Sequence, residues 1–249
     1  MTFEDLLAEA EAEPVEGWDF SWFDGRATEE RPSWGYSRLL ADRMSQARAG
    51  LDLQTGGGEV LAEIPSPPST LVAAETWPPN AAIAAANLRH LGGKVVLVTE
   101  GGGLPFADGT FDLVTSRHPT ALPWPEIARV LAPGGTFLAQ CVGHGSNREL
   151  SEAMMGPLPP AHERAALESS TSATAAGLTV VDAREEWTRV EFFDIGAVAY
   201  FLRKVFWTVP DFTIDRYRTR LAGLDQRIRA EGRFVAHSRR YLIEARKPA

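Results

Sequence analysis

The chain has 249 residues, of which 44% are hydrophobic and 23% are charged, a mixture typical of a globular domain with a substantial core. Its net charge of -8 disfavours an affinity for nucleic acid over the whole surface, and its apolar stretches are far shorter than the roughly 20 residues that span a bilayer. A single cysteine, Cys141, excludes an internal disulfide and a cysteine metal cluster, so we expect a small core residue in a strand.

The first 48 residues form a distinct region of the sequence. The acidic start, MTFEDLLAEAEAE, lacks the basic and then apolar pattern of a secretory signal, so we expect a cytoplasmic protein. Leu6, Leu7 and Ala10 fall on one face of a short amphipathic helix. An aromatic stretch follows from Gly17 to Leu40, whose rings either fill a core edge or cover a ligand, the core edge being the commoner use. We therefore predict an N-terminal helical and aromatic cap over residues 1–48 and a main domain over residues 49–249.

From about residue 50, short apolar runs alternate with helical patterns. The runs are AGLDL, STLVAA, GKVVLVT, GTFDLVTS and GTFLAQCVG. The segments between them that have helical patterns are GGEVLAEI, PPNAAIAAANLRHL and LPWPEIARVLA. Strands that alternate with helices need crossover connections, which predict an α/β fold with a doubly wound, mostly parallel sheet.

The pattern changes after residue 145. Helices are predicted at SNRELSEAMMG and AHERAALESSTSATAAG, followed by a strand at LTVVDAREEWTRVEF. Two more helices, IGAVAYFLRKVF and IDRYRTRLAGLDQRIRAEG, come before a last strand, FVAHSRRYLIEARK. We therefore expect seven strands in all, with a helical insertion at about residues 192–231, before the last strand.

Positive charge is concentrated near the end of the chain. From Arg184 onward there are 14 Lys and Arg against 9 Asp and Glu, which leaves a net charge of -13 for the first 183 residues and +5 for the rest. We favour a solvated, arginine-rich helix face, and a site for an acidic partner such as RNA is the alternative.

The stretch LDLQTGGGE, residues 51–59, predicts a strand that runs into a ligand-binding turn. Gly56 and Gly58 match the first two places of a dinucleotide G-x-G-x-x-G motif, but Leu61 occupies the third. Glu59 stands where a phosphate loop would benefit from lysine. Asp52 and Glu59 suit instead a ligand with a cationic amino or sulfonium group.

Glu75 ends the second predicted strand, 23 residues after Asp52. A carboxylate in this position can accept hydrogen bonds from both hydroxyls of a ribose. A solvated surface acid is the alternative. The succession of strand, glycine turn, helix, strand and acid favours a nucleoside site.

Four segments together resemble class I S-adenosylmethionine-dependent methyltransferases: LDLQTGGGE, LVAAE, VTEGGGLPFADGTFDLVTS and EIARVLAPGGTFL. They cover about residues 48–142, and the pairing of LPFADGTFD with ARVLAPGG is the most specific part. The tail, with FFDIGAVAYFLRKV and FVAHSRRYLIEARKP, is similar to uncharacterised actinobacterial members. The resemblance implies a Rossmann-like methyltransferase fold and S-adenosylmethionine as the cofactor.

The resemblance also implies roles for individual residues. The methionine half of the cofactor would be held by the loop whose members are Asp52, Gln54, Thr55, Gly56 and Gly58. The ribose hydroxyls would be bound by Glu75, and the adenine would be met by Glu100, the backbone of Gly101 and the side chain of Leu104.

Gln54 departs from the family pattern D-x-G-x-G-x-G, which has its first glycine at this place. The side chain could crowd the methionine half, or its amide could bind the carboxylate.

Ser116, Arg117 and His118, just past the fourth predicted strand, would face the methyl group of the cofactor or line the substrate pocket, with Ser116 and Arg117 counted among the cofactor-binding residues. Of the five histidines, His118 and His144 fall just after strands, and His118 is the better candidate for a general base. A structural histidine in a tight turn is an equal alternative. No pair of histidines has the spacing of metal ligands, so we expect no metal site.

These features predict methyl transfer to an oxygen or nitrogen of a small-molecule acceptor, without a membrane partner. The alternatives are an RNA methyltransferase that uses the arginine-rich C-terminal region, and a non-catalytic S-adenosylmethionine-binding protein. Nucleic acid is possible as a partner but not favoured, and the oligomeric state is left open.

Overall fold

The computed structural model describes residues 1–99, 101–160 and 165–249. Contacts within this part of the chain define two compact units. Unit 1 comprises Met1–Arg31, His144–His162 and Trp187–Arg239, and unit 2 comprises Pro32–Gly143, Glu163–Glu186 and Arg240–Ala249. The domain boundary expected at residue 48 stays a prediction.

Helices and strands are numbered in chain order. The helices are α1 (Phe3–Ala12), α2 (Tyr36–Gln46), α3 (Glu59–Ala62), α4 (Pro78–Asn87), α5 (Trp124–Val130), α6 (Arg148–Met155), α7 (Ala165–Ala175), α8 (Ile195–Lys204) and α9 (Ile214–Glu231). The strands are β1 (Ala27–Glu29), β2 (Ala49–Leu53), β3 (Thr70–Glu75), β4 (Lys94–Leu97), β5 (Phe111–Arg117), β6 (Leu131–Val142), β7 (Thr179–Phe192) and β8 (Phe234–Arg246).

The strands that lie wholly or partly in unit 2 have the order β4-β3-β2-β5-β6-β8-β7. Pairing is parallel from β4 to β6, whereas β8 runs antiparallel to β6. The chain leaves β2 toward β3 and β4, then returns to the other side of β2 with β5. The point between β2 and β5 is therefore the topological switch point, where an open α/β sheet binds its ligand.

The sheet of unit 2 is covered on both faces because its strands alternate between two apolar clusters. One cluster contains Leu51, Val72, Val114 and Phe137, together with Trp124 and Ile127 of α5. The opposite cluster contains Leu71, Leu113, Leu138 and Leu242, together with Leu40 and Met44 of α2. These two layers confirm the predicted doubly wound, mostly parallel α/β fold.

Unit 1 is built around a separate apolar cluster that includes Leu6, Leu7 and Tyr200. Helix α1 begins at a capping box, in which the Thr2 hydroxyl accepts from the Asp5 amide at 3.2 Å and the Asp5 carboxylate accepts from the Thr2 amide at 2.9 Å. The predicted apolar face of this helix is buried, which confirms the amphipathic interpretation.

The described part of the chain contains one strand more than the seven expected. The additional strand is β1, in unit 1, whose residues Ala27–Glu29 pair antiparallel with β7 from Phe192 to Val190. Three polar or small residues carry too little apolar periodicity to be recognised, so β1 was missed inside the aromatic stretch. The predicted strands β7 and β8, and the helices α8 and α9 between them, are confirmed.

Cys141 is buried in β6, where burial raises the pKa of its thiol to about 12, as fits the core role expected of it. In the described part of the chain, no helix has both the length and the apolar character needed to cross a membrane. The cytoplasmic location stays a prediction.

Candidate cofactor and acceptor site

The carboxyl ends of four parallel strands bring most of the predicted site residues to one edge of unit 2. Leu53 of β2 is in register with Ala74 of β3 and with Ser116 of β5. Glu75 is in register with Leu97 of β4. Because parallel strands end together, the loops after β2, β3 and β5 become neighbours at the switch point.

Glu75 binds the backbone of two loops at once. One carboxylate oxygen accepts from the Gly56 amide at 2.7 Å, and the other accepts from the amides of Thr76 at 2.7 Å and Trp77 at 3.1 Å. The side chain is 5% exposed. A carboxylate oxygen has two lone pairs, so the oxygen that binds Gly56 keeps one for a ligand hydroxyl.

The glycine loop after β2 has a backbone conformation that depends on glycine and that lets a ligand lie close to the main chain. Gly56 and Gly58 have φ of +63° and +74°, which glycine adopts without the steric cost that a Cβ brings. A Cβ on Gly57 would lie 2.1 Å from a carboxylate oxygen of Glu59. The buried Thr55 hydroxyl lies close enough to Asp52 to stabilise its carboxylate, but among the described residues it makes no hydrogen bond of good geometry. These residues fit the polar end of a bound nucleoside cofactor.

Asp52 is a buried carboxyl beside this loop. Its Oδ1 accepts a hydrogen bond of 2.6 Å from the Thr115 hydroxyl. Burial raises the pKa of Asp52 to about 6, against the opposing effects of Thr115, Thr55 and Arg117. A cationic ligand group next to Asp52 would favour the ionised form.

Gln54 has a role that the sequence did not suggest. Its Nε2 donates to the Ala121 carbonyl at 2.6 Å, and its Oε1 accepts from the amide and the hydroxyl of Thr120 at 2.8 and 2.9 Å. The amide therefore binds the loop after β5. Gln54 has φ of +52°, so the backbone keeps the left-handed conformation that a glycine would adopt there.

Ser116 and Arg117 end β5 and differ in environment. Ser116 is fully buried, and its hydroxyl donates to the Leu53 carbonyl at 2.8 Å, while its own carbonyl accepts from the Tyr36 hydroxyl at 3.0 Å. Ser116 therefore joins β5 to β2 and α2. Arg117 is exposed at the same edge of the sheet.

His118 is half-buried, with φ of +56°. Its backbone amide donates to the Gln140 carbonyl at 2.7 Å, and its Nε2 lies 3.0 Å from the Gln140 side-chain nitrogen. Burial, and then the positive charges of Arg117 and Arg240, hold the pKa of His118 well below its usual value. The lowered pKa favours the neutral form of the imidazole.

Leu104 is held by helix α5. Its amide donates to Glu126 at 2.6 Å, and its carbonyl accepts from Arg129 at 2.9 Å. Arg129 also donates to the Phe106 carbonyl and to Asp108. These bonds explain physically why LPFADG and EIAR occur together: the helix side chains fix the loop that precedes β5.

Two predicted residues lie outside these contacts. Glu100 is outside the described residues, and Gly101, which follows it, is exposed with φ of +69°. His144, the second-ranked histidine, is exposed in unit 1, and His162 is also outside the described residues.

Sequence reasoning missed an apolar cleft at the ends of β3 and β4. The cleft has a volume of about 460 Å³ and is lined by Thr76, Trp77, Leu97, Val98 and Thr99. Trp77 is 45% exposed and Leu97 is 54% exposed, although both are large apolar side chains. An exposed apolar patch next to Glu75 suits a flat aromatic ligand. Trp77 lies two residues after Glu75, and this position in the sequence could have indicated an apolar surface beside the proposed ribose site.

A second missed feature is the hydrogen-bonded series formed by Trp34, Gln140 and His118. Trp34 Nε1 donates to Gln140 Oε1 at 2.8 Å. Trp34 and Gln140 are both buried, and they come from distant parts of the sequence. No local motif links them, so only the fold reveals the arrangement.

Comparison with known proteins agrees with this geometry. The model of a family described as a methyltransferase domain matches residues 51–139, about a third of the chain. No curated protein sequence is detectably similar to the chain.

In the described part of the chain, no group of three or more His, Cys, Asp or Glu residues is placed to hold a metal ion.

Several solved structures share the fold. A protein from Bacillus halodurans that is provisionally assigned as a methyltransferase matches with a TM-score of 0.60 and 17% identity, over 87% of this chain and 99% of that one. The [4+2]-cyclase SpnF matches with a TM-score of 0.53 and 20% identity, over 99% and 93%. A geranyl diphosphate methyltransferase, in complex with geranyl diphosphate and sinefungin, matches with a TM-score of 0.53 and 12% identity, over 98% of each chain.

The fold is therefore the Rossmann-like α/β fold of methyltransferases. Residues 51–139 of the chain match a methyltransferase domain.

Proposed function

We propose that this protein transfers a methyl group to an oxygen or nitrogen of a small-molecule acceptor, at the switch point between β2 and β5. The observation that carries the proposal is the position of Glu75. Its carboxylate orders the glycine loop through Gly56 and lies beside the apolar cleft of Trp77 and Leu97. This arrangement offers polar contacts for a ribose next to an apolar surface for a base.

The residues that would hold the cofactor divide by chemistry. Glu75 would bind the ribose hydroxyls, and Trp77 would pack against the adenine. The Thr55 hydroxyl and the carboxyl of Asp52 would meet the polar methionine end. When bound, S-adenosylmethionine supplies an electrophilic methyl group on a sulfonium.

The contribution of the chain to the reaction is mainly positioning. Displacement at a methyl group requires the nucleophile and the leaving group in line, so holding both partners can account for much of the rate. Gln54 supports this role because it ties the cofactor loop to the loop after β5, which carries His118. The neutral imidazole and the exposed Arg117 would then face the acceptor.

The backbone conformation at this edge supports a functional site. In the described part of the chain, four non-glycine residues have positive φ, and two of them are Gln54 and His118. Such conformations are unfavourable for side chains with a Cβ and concentrate at functional sites. The bonds of Gln54 to Thr120 and Ala121 also weaken the case for a non-catalytic binder, since the amide points to the neighbouring loop.

The arginine-rich region gives little support to an RNA substrate. In unit 1, four of its arginines form ion pairs with acids: Arg218 with Glu4, Arg227 with Glu231, Arg229 with Asp225 and Arg233 with Glu191. Paired guanidinium groups attract phosphate less than solvated ones do. This favours a small-molecule acceptor over a polyanion.

Calorimetry with S-adenosylmethionine and S-adenosylhomocysteine tests the cofactor site directly. We expect both ligands to bind. A screen of phenols, amines and carboxylic acids with labelled S-adenosylmethionine would then identify the acceptor. A folded protein that binds neither ligand would overturn the proposal, whereas activity on RNA that declines steeply with salt would replace the small-molecule acceptor by RNA.

A further inference from the structure

The protonation of His118 follows from the chemistry of its neighbours. An indole N–H can only donate, so the Gln140 atom that lies 2.8 Å from Trp34 Nε1 is the side-chain oxygen. The other end of the amide is then the NH₂ group, which can only donate. It lies 3.0 Å from His118 Nε2, so that nitrogen must accept.

An accepting Nε2 places the ring proton on Nδ1. In a neutral imidazole one nitrogen carries hydrogen and the other accepts, so the Gln140 contact fixes the Nδ1–H tautomer. Among residues 1–99, 101–160 and 165–249, none bonds Nδ1 of His118. Within these described residues, the half-buried ring therefore has one unused donor and no unused acceptor.

We propose that Trp34 and Gln140 are positioning residues that hold His118 as the neutral Nδ1–H tautomer, so that His118 donates a hydrogen bond to a carbonyl or carboxylate oxygen of the methyl acceptor instead of removing its proton. The inference rests on the proposed function for the identity of the ligand. It replaces the general-base role expected from the sequence, because the lone pair that a base needs already binds the Gln140 amide.

This arrangement has a consequence for the substrate. Without a base at this position, the nucleophile must carry a free lone pair when it binds, as a carboxylate, a neutral amine or an acidic hydroxyl that has already lost its proton to solvent does. The acceptor class is therefore a small molecule with a carbonyl or carboxylate oxygen.

The tautomer can be measured without turnover. In full-length protein with ¹⁵N-labelled histidine, long-range ¹H–¹⁵N spectra distinguish a protonated ring nitrogen from an unprotonated one, and loss of signals in His118→Asn assigns the residue. Asparagine suits this control because it tolerates positive φ. We expect one species at neutral pH, protonated on Nδ1 only. A proton on Nε2, or a mixture of tautomers, would overturn the inference.

Two variants test the positioning residues. Gln140→Glu replaces the donor by an oxygen, so the ring should become protonated on Nε2. Because a buried carboxylate at this place could prevent folding, Trp34→Phe is the second variant: it removes the indole N–H, frees the amide to rotate, and should yield both tautomers. A single Nδ1–H species that persists in folded Trp34→Phe would show that Trp34 does not set the tautomer.

The ligand is tested with benzoate and benzylamine in the presence of S-adenosylhomocysteine. Benzoate should shift the Nδ1–H resonance of His118, and benzylamine should not. A response to benzylamine alone, or to neither probe, would contradict the donor role. Failure of S-adenosylhomocysteine to bind would instead count against the proposed function and would leave the tautomer measurement valid.

Discussion

The side-chain oxygen of Gln54 accepts two hydrogen bonds from Thr120, one from its amide and one from its hydroxyl. With the bond from Gln54 Nε2 to Ala121, these contacts link the glycine loop after β2 to residues 118–123 after β5, the proposed acceptor loop, across the switch point.

In Gln54→Gly we expect the acceptor loop to become mobile while global stability changes little. The left-handed backbone at residue 54 costs a side chain with a Cβ roughly 1–2 kcal/mol, and glycine removes this cost. The gain offsets the loss of the Gln54 hydrogen bonds, which are worth about 0.5–1.5 kcal/mol each. Hydrogen exchange at the Thr120 amide should accelerate at least tenfold. Thr120→Ser keeps both bonds and serves as the control. Unchanged exchange in Gln54→Gly would show that the link does not order the loop.

Replacement of Glu75 should weaken cofactor binding. In Glu75→Gln, the side-chain NH₂ group faces one of the backbone amides that donate to the native carboxylate. The glycine loop then loses its fixed geometry, and the proposed ribose contact is lost as well. We expect the affinity for S-adenosylhomocysteine to fall by about 1–3 kcal/mol, the scale for hydrogen bonds to a charged group.

Calorimetry measures this change, and Glu63→Gln, at an exposed position, is the matched control for loss of one negative charge. Full affinity in a folded Glu75→Gln protein would exclude the ribose assignment.

Asp52 should make the protein less stable as pH rises. Burial raises its pKa to about 6 in the folded state, against 3.8 for an ordinary aspartate. The folded protein therefore retains a proton that the unfolded chain releases between these values, and the free energy of unfolding falls by about 3 kcal/mol as pH rises through this window. Asp52→Asn has no ionisable group at this position, so its free energy of unfolding should not fall in this way as pH rises.

Chemical denaturation of both proteins at about pH 4.5 and about pH 7.5 measures this effect. The stability of Asp52→Asn relative to the parent protein should increase at the higher pH. An equal difference at the two pH values would mean that Asp52 titrates normally.

Trp77 should contribute to cofactor affinity through its exposed ring. Stacking of a base on an aromatic side chain is worth about 1–3 kcal/mol, so Trp77→Ala should weaken S-adenosylhomocysteine binding by this amount. Trp187→Ala removes a tryptophan of similar exposure from unit 1 and should leave affinity unchanged. Equal losses in the two variants would point to a general effect on folding instead of a contact with the base.

Much of unit 2 could be predicted from the sequence, because its strands are compact apolar runs and its turns contain glycine. The pattern placed Asp52, Glu75 and His118 at one edge of the sheet. It could not predict that the Gln54 amide binds Thr120, since the two residues meet only through the parallel register of β2 and β5.

The sequence could not place Gln140 beside His118, because the two residues lie 22 positions apart on neighbouring strands, and the catalytic role of His118 stays a prediction. Strand β1 was missed for the opposite reason: its three residues carry almost no periodic signal. Local sequence patterns thus predict helices and strands. The hydrogen-bond partners of polar side chains depend instead on how distant segments pack together in the fold.

The contacts of Arg129 have a consequence for how this sequence can evolve. One guanidinium group holds Glu126, the carbonyls of Leu104 and Phe106, and the Asp108 carboxylate. Lysine cannot reproduce such a planar set of donors, so a change at residue 129 alone would release the whole loop. Positions 108, 126 and 129 should therefore change together among homologues. They should do so even where the sequence of the loop after β5 differs.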